Sequence, residues 1–284
     1  MTLFFSFLLL MACGSSSDSI SADEVIDQEQ TLELIDKSFT IDQEIAGVVV
    51  SREIIMEVPT TIDLSKNYPV VFAFHGRGSL NNSWVNKLNP LTSTGSFVGI
   101  YPQGYDKMWN SGGNESSKAD DVAFVGAILE ALKQYKNLDL ERVYAIGTSN
   151  GSSMTNKLAL ETDYFNAVAS IVSQLSEANL PNGNTHPTAI FQINGAADQI
   201  IPIDGGSKLG YVFLEALDSA ERWATAFSCD PYQMQTVDQD KLYVFPNCKE
   251  GKEVRYLRIE NGAHNLHWTN PLLMNDVWEF LKRF

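Results

Sequence analysis

A serine in a sharp turn is the feature of this sequence best suited to chemistry. Residues 147–151 read Gly-Thr-Ser-Asn-Gly, which places Ser149 at the centre of the pattern Gly-x-Ser-x-Gly. A short apolar run over 143–146 predicts a strand that ends at this turn. Between a strand and a helix, such a turn holds the serine hydroxyl out where a base and a substrate both reach it. The pattern predicts a nucleophile, and its alternative is an ordinary glycine-rich turn.

A serine hydroxyl is a weak nucleophile near neutral pH and needs a base to take its proton. The sequence contains four histidines. His264 follows a predicted strand over 254–259 through a short loop, which predicts that it lies at the carboxyl edge of the sheet beside the serine. His267 is the second candidate. We expect His75 to be a structural part of a turn, whereas His186 precedes a proline in a loop without an evident partner.

The base in turn needs an acid that fixes its tautomer and stabilises its charged form. In folds with this serine turn, the acid follows a strand and lies between the serine and the histidine in chain order. Asp198 meets both conditions, because it comes shortly after a predicted strand over 188–193. Asp204 is the rival, and either carboxylate could instead cap a loop.

Acyl transfer also needs hydrogen-bond donors for the oxyanion that develops on the substrate. The backbone N–H of Asn150, directly after the serine, is one expected donor. The other is the N–H of Arg77, in the His-Gly-Arg-Gly segment 75–78 that follows a predicted strand over 69–74. The side chain of Arg77 either meets a substrate carboxylate or stays in solvent.

Two tryptophans are candidate substrate contacts. Trp109 and Trp268 lie on predicted loops that we place near the same rim as the serine turn. An indole at a rim can stack on an aromatic or sugar group. The alternative for each is packing beneath a loop.

The order of apolar runs and helical periodicities predicts the fold. Predicted strands cover 52–58, 69–74, 97–101, 142–146, 165–172, 188–193 and 254–259, with helices over 81–93, after 120–121, and over 152–160, 215–227 and 271–281. Strands that alternate with helices imply right-handed crossovers and a mostly parallel sheet. We place the 52–58 strand at the edge of this sheet.

The composition limits the classes of partner. The chain has 284 residues, 44% of them hydrophobic, and a formal net charge of −15. Such acidity argues against a nucleic-acid partner. About half of the net charge lies in residues 14–45, which hold nine Asp or Glu and one Lys. We interpret this region as a solvated tether rather than a binding face.

The N-terminus is typical of a targeting segment. An apolar run over 3–11 leads into Leu-Met-Ala-Cys at 10–13, which resembles the lipobox of bacterial lipoproteins, in which the cysteine is lipidated. The run is too short to span a bilayer. The domains predicted from the sequence are therefore a signal and lipobox over 1–13, an acidic tether over 14–40 and a catalytic domain over 41–284. Lipid on Cys13 would anchor the protein outside the cytoplasm, and a cleaved signal peptide with secretion is the alternative.

The two remaining cysteines are Cys229 and Cys248, 19 positions apart. Outside the cytoplasm such a pair favours a disulfide, and two buried free thiols are the alternative. No second Cys or His lies at ligand spacing beside either one, so the sequence predicts no metal site.

Taken together, the motifs resemble those of the α/β-hydrolase esterases grouped with polyhydroxybutyrate depolymerases, feruloyl esterases and acetylxylan esterases. The matching segments, in chain order, are 69–76, 101–104, 108–110, 120–124, 141–154, 197–206, 221–224 followed by Cys229, and 262–264. The resemblance implies a single α/β-hydrolase domain with a mostly parallel central sheet flanked by helices. It also implies a Ser149–His264–Asp198 triad, with Arg77 and Asn150 at the oxyanion hole. The chain departs from the family pattern at Asn194, where the family commonly has histidine.

The predicted function is that of a secreted or lipid-anchored serine esterase that acts through an acyl-enzyme and needs neither cofactor nor metal. Its predicted partners are a small or oligomeric ester, of polyhydroxyalkanoate, feruloyl or acetyl-polysaccharide type, and a membrane bound through Cys13. One alternative is a serine peptidase of the prolyl-oligopeptidase type, although the sequence lacks the repeats of an added propeller domain. The other is a surface-binding lipoprotein whose hydrolase site is inactive.

Overall fold

The computed structural model describes residues 30–113 and 117–284. The predicted signal segment, Cys13 and the tether as far as residue 29 lie outside these residues. Within the described residues, Leu32 forms a bridge with Tyr135 and the first strand starts at Lys37. None of the helices in the described part of the chain has the length and apolar composition needed to cross a bilayer.

A large twisted sheet forms the centre of the molecule. Its strands are β1 Lys37–Ile45, β2 Val48–Glu57, β3 Tyr68–Phe74, β4 Val98–Pro102, β5 Leu138–Thr148, β6 Ala167–Ile171, β7 Ala189–Gly195, β10 Gln233–Val237, β11 Asp240–Phe245 and β12 Val254–Ile259, while β8 Gly206–Lys208 and β9 Tyr211–Phe213 form a separate hairpin. The spatial order is β1-β2-β4-β3-β5-β6-β7-β12-β11-β10. The six inner strands run parallel; in spatial order they are β4, β3, β5, β6, β7 and β12. Two antiparallel strands extend the sheet at each side. The predicted mostly parallel sheet is confirmed.

Helices cover both faces of the sheet. They are α1 Val85–Thr92, α2 Asp121–Leu132, α3 Asn150–Glu161, α4 Ala216–Ala226, α5 Leu266–Thr269 and α6 Leu273–Leu281. Buried side chains of α2, α3 and α4 pack on one face, and those of α1, α5 and α6 pack on the other. The inner strands β3, β4, β6 and β7 are buried along their whole length, as expected of parallel strands covered on both faces.

The edges of the sheet differ from the prediction. The strand predicted over 52–58 belongs to β2, which lies between β1 and β4 and is not an edge. The two edge strands, β1 and β10, were not predicted. Their residues are mostly exposed or half-buried, so they lack the apolar runs that identify a buried strand.

A disulfide joins Cys229 and Cys248. It links the end of α4 to the segment after β11, at the side of the sheet away from the serine turn. No group of three or more His, Cys, Asp or Glu side chains in residues 30–113 and 117–284 is arranged to hold a metal ion.

Candidate active site

Ser149 occupies the tight turn between β5 and α3. Its backbone has φ 55° and ψ −121°, a conformation that L-residues rarely adopt and that costs about 1–3 kcal/mol. The N–H of Ser149 donates to the carbonyl oxygen of Ile171 on β6 at 3.0 Å, which fixes the turn against the neighbouring strand. The strained turn holds the side chain of Ser149 at the end of β5, where it lines a cleft.

The two glycines of the turn allow the backbone to pack closely. A Cβ on Gly147 would lie 2.2 Å from the carbonyl oxygen of Gly151, and a Cβ on Gly151 would lie 2.1 Å from that of Phe74. Both distances are too short for non-bonded atoms, and both partners are backbone. The first helical turn of α3 therefore rests directly on the end of β3 because residue 151 has no side chain.

The structure brings Ser149, His264 and Asp198 into one line of hydrogen bonds. Nδ1 of His264 lies 2.7 Å from Oδ2 of Asp198, and Nε2 lies 2.9 Å from Oγ of Ser149. A carboxylate only accepts hydrogen bonds, so Nδ1 carries the proton and Nε2 is free to accept from the serine hydroxyl. This is the arrangement needed to remove a proton from Ser149.

Backbone contacts fix the acid. Asp198 is 2% exposed, and its Oδ1 accepts the N–H groups of Ile200 and Ile201 at 2.8 and 3.0 Å. The loop that carries it meets the loop that carries the histidine at two glycines. A Cβ on Gly195 would lie 2.1 Å from the carbonyl oxygen of Gly262. The loops that follow the parallel strands β7 and β12 are thereby locked side by side, which aligns the carboxylate with the imidazole.

The segment after β3 forms a tight turn beside Ser149. The N–H of Ser79 donates to the carbonyl oxygen of Gly76 at 3.1 Å, and Gly78 has φ +80°, as a type II turn requires at its third position. The N–H of Arg77 has no hydrogen-bond partner among the described residues. Because a Cβ on Gly76 would be 3.5 Å from Cβ of Ser149, this turn passes directly over the serine.

Asn150 supplies the second N–H. It is the first residue of α3, so its N–H lacks a partner within the helix. Its side chain is buried, accepts from the N–H of Trp109 at 2.8 Å and donates to the carbonyl oxygen of the same residue at 3.1 Å. The side chain therefore ties the start of α3 to the loop after β4 and holds the backbone donor in place.

His75 supports the turn from below and takes no part in the hydrogen-bonded line. Its Nδ1–H donates to the carbonyl oxygen of Gly76 at 2.9 Å, and its Nε2 accepts the N–H of Gly104 at 3.0 Å. Burial is the main reason that the pKa of His75 falls to about 4. The ring is therefore neutral near pH 7 and acts as a fixed structural link, as the sequence predicted.

The two tryptophans predicted to contact the substrate lie in different environments. The prediction that Trp109 contacts the substrate is wrong, because its side chain is 0% exposed and its indole N–H donates to the carbonyl oxygen of His75 at 2.9 Å. It packs edge-on against Phe74 and supports the loop from inside. Trp268, in contrast, is 57% exposed and lines the cleft above Ser149.

That cleft has a volume of about 360 Å³. Its walls come from the turn after β3, from α1, from the start of α5 and from the loops before and after β8. The lining residues are Gly76, Arg77, Ser79, Ser83, Trp84, Lys87, Thr148, Ser149, Ile200, Leu209, His264, His267 and Trp268. The cleft therefore offers apolar and aromatic surface together with two cationic side chains.

The rival residues lie elsewhere or are engaged differently. Asp204 and His186 are exposed, and neither joins the line at Ser149. His267 lines the cleft, and its Nδ1 lies 3.1 Å from Oγ1 of Thr148. Burial, with a smaller contribution from the charge of Lys87, lowers the pKa of His267 to about 4.

The sequence did not identify Lys87 as part of the site. Lys87 lies one helical turn after Trp84, so the two share a face of the helix predicted over 81–93. Nothing in the sequence, however, indicates that this face opens into the cleft at Lys87. The position of Lys87 in the cleft becomes evident only in the folded structure, where α1 packs beside α5 and the turn after β3.

Comparisons with known proteins agree with this architecture. No family model matches the sequence. The chain is 29% identical over 239 residues to the probable feruloyl esterase C of Aspergillus terreus, covering 81% of this chain and 83% of that protein. Among solved structures, it resembles the acetyl xylan esterase of Aspergillus awamori, with a TM-score of 0.60, 15% identity, and coverage of 81% of this chain and 94% of that one.

A longer protein also shares the fold. The acylaminoacyl peptidase of Pyrococcus horikoshii has a TM-score of 0.58 and 16% identity, and the match covers 87% of this chain but 42% of that one. Likeness at this level of identity shows a common fold. The sequence relatives, in contrast, are named esterases, and the match covers 83% of the Aspergillus terreus protein and 61% of the feruloyl esterase C of Emericella nidulans. The sequence relatives and the shared fold together support an α/β-hydrolase esterase family for this chain.

Proposed function

We propose that the protein is a serine carboxylic-ester hydrolase in which Ser149, His264 and Asp198 form the catalytic triad. The observation that carries the proposal is the continuous line of hydrogen bonds from Asp198 through His264 to Ser149, with separations of 2.7 and 2.9 Å. The N–H groups of Arg77 and Asn150 flank the serine, and in residues 30–113 and 117–284 neither donates to another backbone group. Nucleophile, base, acid and oxyanion donors then occupy the end of one sheet.

In the first half of the reaction, Oγ of Ser149 forms a bond to the carbonyl carbon of the ester while its proton passes to Nε2 of His264. The N–H groups of Arg77 and Asn150 stabilise the negative charge on the carbonyl oxygen. The C–O bond to the alcohol then breaks, and His264 returns the proton to the leaving oxygen. In the second half, water attacks the acyl-enzyme by the same route and releases the acid.

The test is replacement of Ser149 by alanine. Hydrolysis of para-nitrophenyl acetate should fall by at least about a thousandfold, because the acyl-enzyme cannot form. Ser207→Ala, at an exposed serine of β8, is the matched control and should retain wild-type activity. A fluorophosphonate probe should label the wild-type protein and not Ser149→Ala. Full activity in Ser149→Ala would refute the assignment, and failure of the wild type to label would favour an inactive site.

We further propose feruloyl or acetyl esters of polysaccharides as the substrate class, with polyhydroxyalkanoate oligomers as the competing class. The support is the esterase relatives and the exposed indole of Trp268 at the cleft, which can stack on an aromatic ring or a sugar. Rates on methyl ferulate, acetylated xylo-oligosaccharides, hydroxybutyrate dimers and a peptide para-nitroanilide should be compared. Faster cleavage of the dimers or of the anilide would contradict the proposal.

We propose a location outside the cytoplasm, with a lipid on Cys13 as the anchor. The Leu-Met-Ala-Cys motif at 10–13 and the disulfide between Cys229 and Cys248 support it, because disulfides persist in oxidising compartments. Cells given an alkyne-tagged palmitate should label the wild-type protein but not Cys13→Ser. Release of unlabelled wild-type protein into the medium would instead favour a cleaved signal peptide.

A further inference from the structure

The cleft above Ser149 carries a charge opposite to that of the chain. Acidic residues outnumber basic ones by 35 to 20 in the sequence. The charged side chains that line the cleft are nevertheless the cations Lys87 and Arg77, and the lining includes no Asp or Glu. The carboxylate of Asp198 lies behind His264 and already accepts three hydrogen bonds. The cleft is therefore a locally positive site in an acidic protein.

These two cations also lack acidic partners. Most of the other arginines and several lysines in the described residues form ion pairs, for example Arg52 with Asp121 at 2.7 Å and Arg283 with Glu253 at 2.9 Å. Neither Lys87 nor Arg77 pairs with a carboxylate in that part of the chain. Lys87 is half-buried, whereas Arg77 is exposed. Because a half-buried charge without a counter-ion is unfavourable, Lys87 is suited to an anion that arrives with a ligand.

The structure holds Lys87 at a defined place near the nucleophile. Its Nζ lies 3.8 Å from the ring centroid of Trp268 and donates to the carbonyl oxygen of His267. The ring of His267 in turn contacts Thr148, the residue before Ser149. This chain of contacts places the ammonium group on the wall of the same cleft as the serine hydroxyl. Burial lowers the pKa of Lys87, and a bound anion would oppose that effect.

We propose that Lys87, assisted by the guanidinium of Arg77, forms an anion subsite that selects esters bearing a carboxylate near the scissile bond. This inference rests on the proposed function, because it assumes that Ser149 cleaves esters in this cleft. Lys87 determines specificity here and does not touch the reacting atoms. The carboxylate belongs either to the acyl part of the ester or to its alcohol part, and two pairs of substrates distinguish these sources.

The first pair tests the alcohol side with para-carboxyphenyl acetate and para-carbamoylphenyl acetate. The two esters are close in size, and the carbamoyl compound has the better leaving group. The second pair tests the acyl side with the para-nitrophenyl monoester of adipic acid and para-nitrophenyl hexanoate. For each pair the quantity measured is the ratio of kcat/KM for the carboxylated ester to kcat/KM for the neutral ester.

The wild-type protein should prefer the carboxylated member in at least one pair. Lys87→Gln should lower that ratio by about tenfold, since one close charge pair in a partly buried site contributes on that scale. Lys87→Arg should restore most of the ratio, and Lys87→Glu should lower it further. Lys249→Gln is the matched control, because it removes the same charge at an exposed position outside the cleft and should leave the ratio unchanged.

The outcomes separate this inference from the proposed function. A wild-type enzyme that prefers the neutral ester in both pairs overturns the anion subsite, as does a ratio that Lys87→Gln leaves within twofold of wild type. Either result, with Ser149-dependent cleavage of the neutral esters intact, leaves the esterase assignment standing. The absence of any Ser149-dependent cleavage overturns the proposed function, and the subsite with it.

Discussion

The hydrogen-bonded line at Ser149 and the cleft wall above it are built in opposite ways. Each member of the line is fixed by backbone: Ser149 by the strained turn, Asp198 by two N–H groups, and His264 by a loop held between close glycines. Much of the wall is built from side chains that reach solvent, for example Trp268, which is 57% exposed, and Leu209, which is 56% exposed.

This difference separates chemistry from selectivity. In the proposed mechanism, displacing a member of the line moves a reacting group and should slow the cleavage of every substrate, because catalysis depends on close alignment. Changing the wall removes contacts that only some substrates make and should alter their ranking. Four predictions, taken from the largest expected effect to the smallest, test this contrast.

The largest effect is expected at Asp198. In Asp198→Asn the amide N–H₂ would face His264, so Nδ1 must accept and Nε2 carries the proton, which leaves no acceptor for the serine hydroxyl. We expect kcat to fall by about 10³–10⁴-fold for all esters, with little change in KM. Asp204→Asn, at the exposed rival carboxylate, should stay within twofold of wild type. A larger loss in Asp204→Asn would transfer the role to that residue.

Gly151→Ala tests the close packing under the turn. The added Cβ would lie 2.1 Å from the carbonyl oxygen of Phe74, so α3 or β3 must shift and carry Ser149 with it. We expect kcat/KM to fall by about a hundredfold and Tm to fall as well. Gly183→Ala is the control, because no atom lies within 4 Å of its Cβ position. Wild-type activity in Gly151→Ala would show that the turn tolerates displacement.

The two tryptophans should respond differently. Trp268→Ala should raise KM for aromatic or sugar esters by about threefold to tenfold and affect para-nitrophenyl acetate less, because it removes a stacking surface. Trp109→Phe removes the donor to the buried carbonyl oxygen of His75, so it should lower the free energy of unfolding by about 1–3 kcal/mol. Steady-state kinetics and urea unfolding measure the two effects. An unchanged substrate ranking in Trp268→Ala would argue against its place in substrate binding.

The smallest effect concerns pH. The pKa of His75 is about 4 in the folded protein, below its ordinary value of 6.5, so between these values the unfolded chain binds a proton that the folded chain excludes. The stabilisation is complete above pH 6.5 and is lost as pH falls toward 4, at about 1.4 kcal/mol per pH unit for one proton. His75→Gln should reduce this slope, measured by urea unfolding between pH 6.5 and 4.5. His186→Gln, at an exposed histidine, should retain it.

The sequence predicted the inner sheet better than its edges. Continuous apolar runs such as 69–74 identify strands buried on both faces, and the structure confirms β3 at Tyr68–Phe74. The edge strand β10 has no such run, since it is exposed along its length. Edge strands take their place from pairing with a neighbour, and that pairing leaves little trace in hydrophobic periodicity.

The cleft wall was predicted least well. Trp109 and Trp268 are both loop tryptophans in the sequence, yet one is fully buried and the other lines the cleft. In the sequence, nothing distinguishes Lys87 from an ordinary exposed lysine on an amphipathic helix. Which face of α1 meets the cleft depends on how α1 packs against distant segments, and local pattern does not contain that information.

The sequence by itself determined the inner strands, the main helices and the turn that holds Ser149, because these depend on residues close together in the chain. Strand ends and glycine spacing also placed Asp198 and His264 at the edge of the sheet where the serine lies. Tertiary structure decided the separations of 2.7 and 2.9 Å that join the three residues, the burial of Trp109, and the entry of Lys87 into the cleft. Those outcomes depend on contacts between segments more than 30 positions apart, which packing of the whole chain sets.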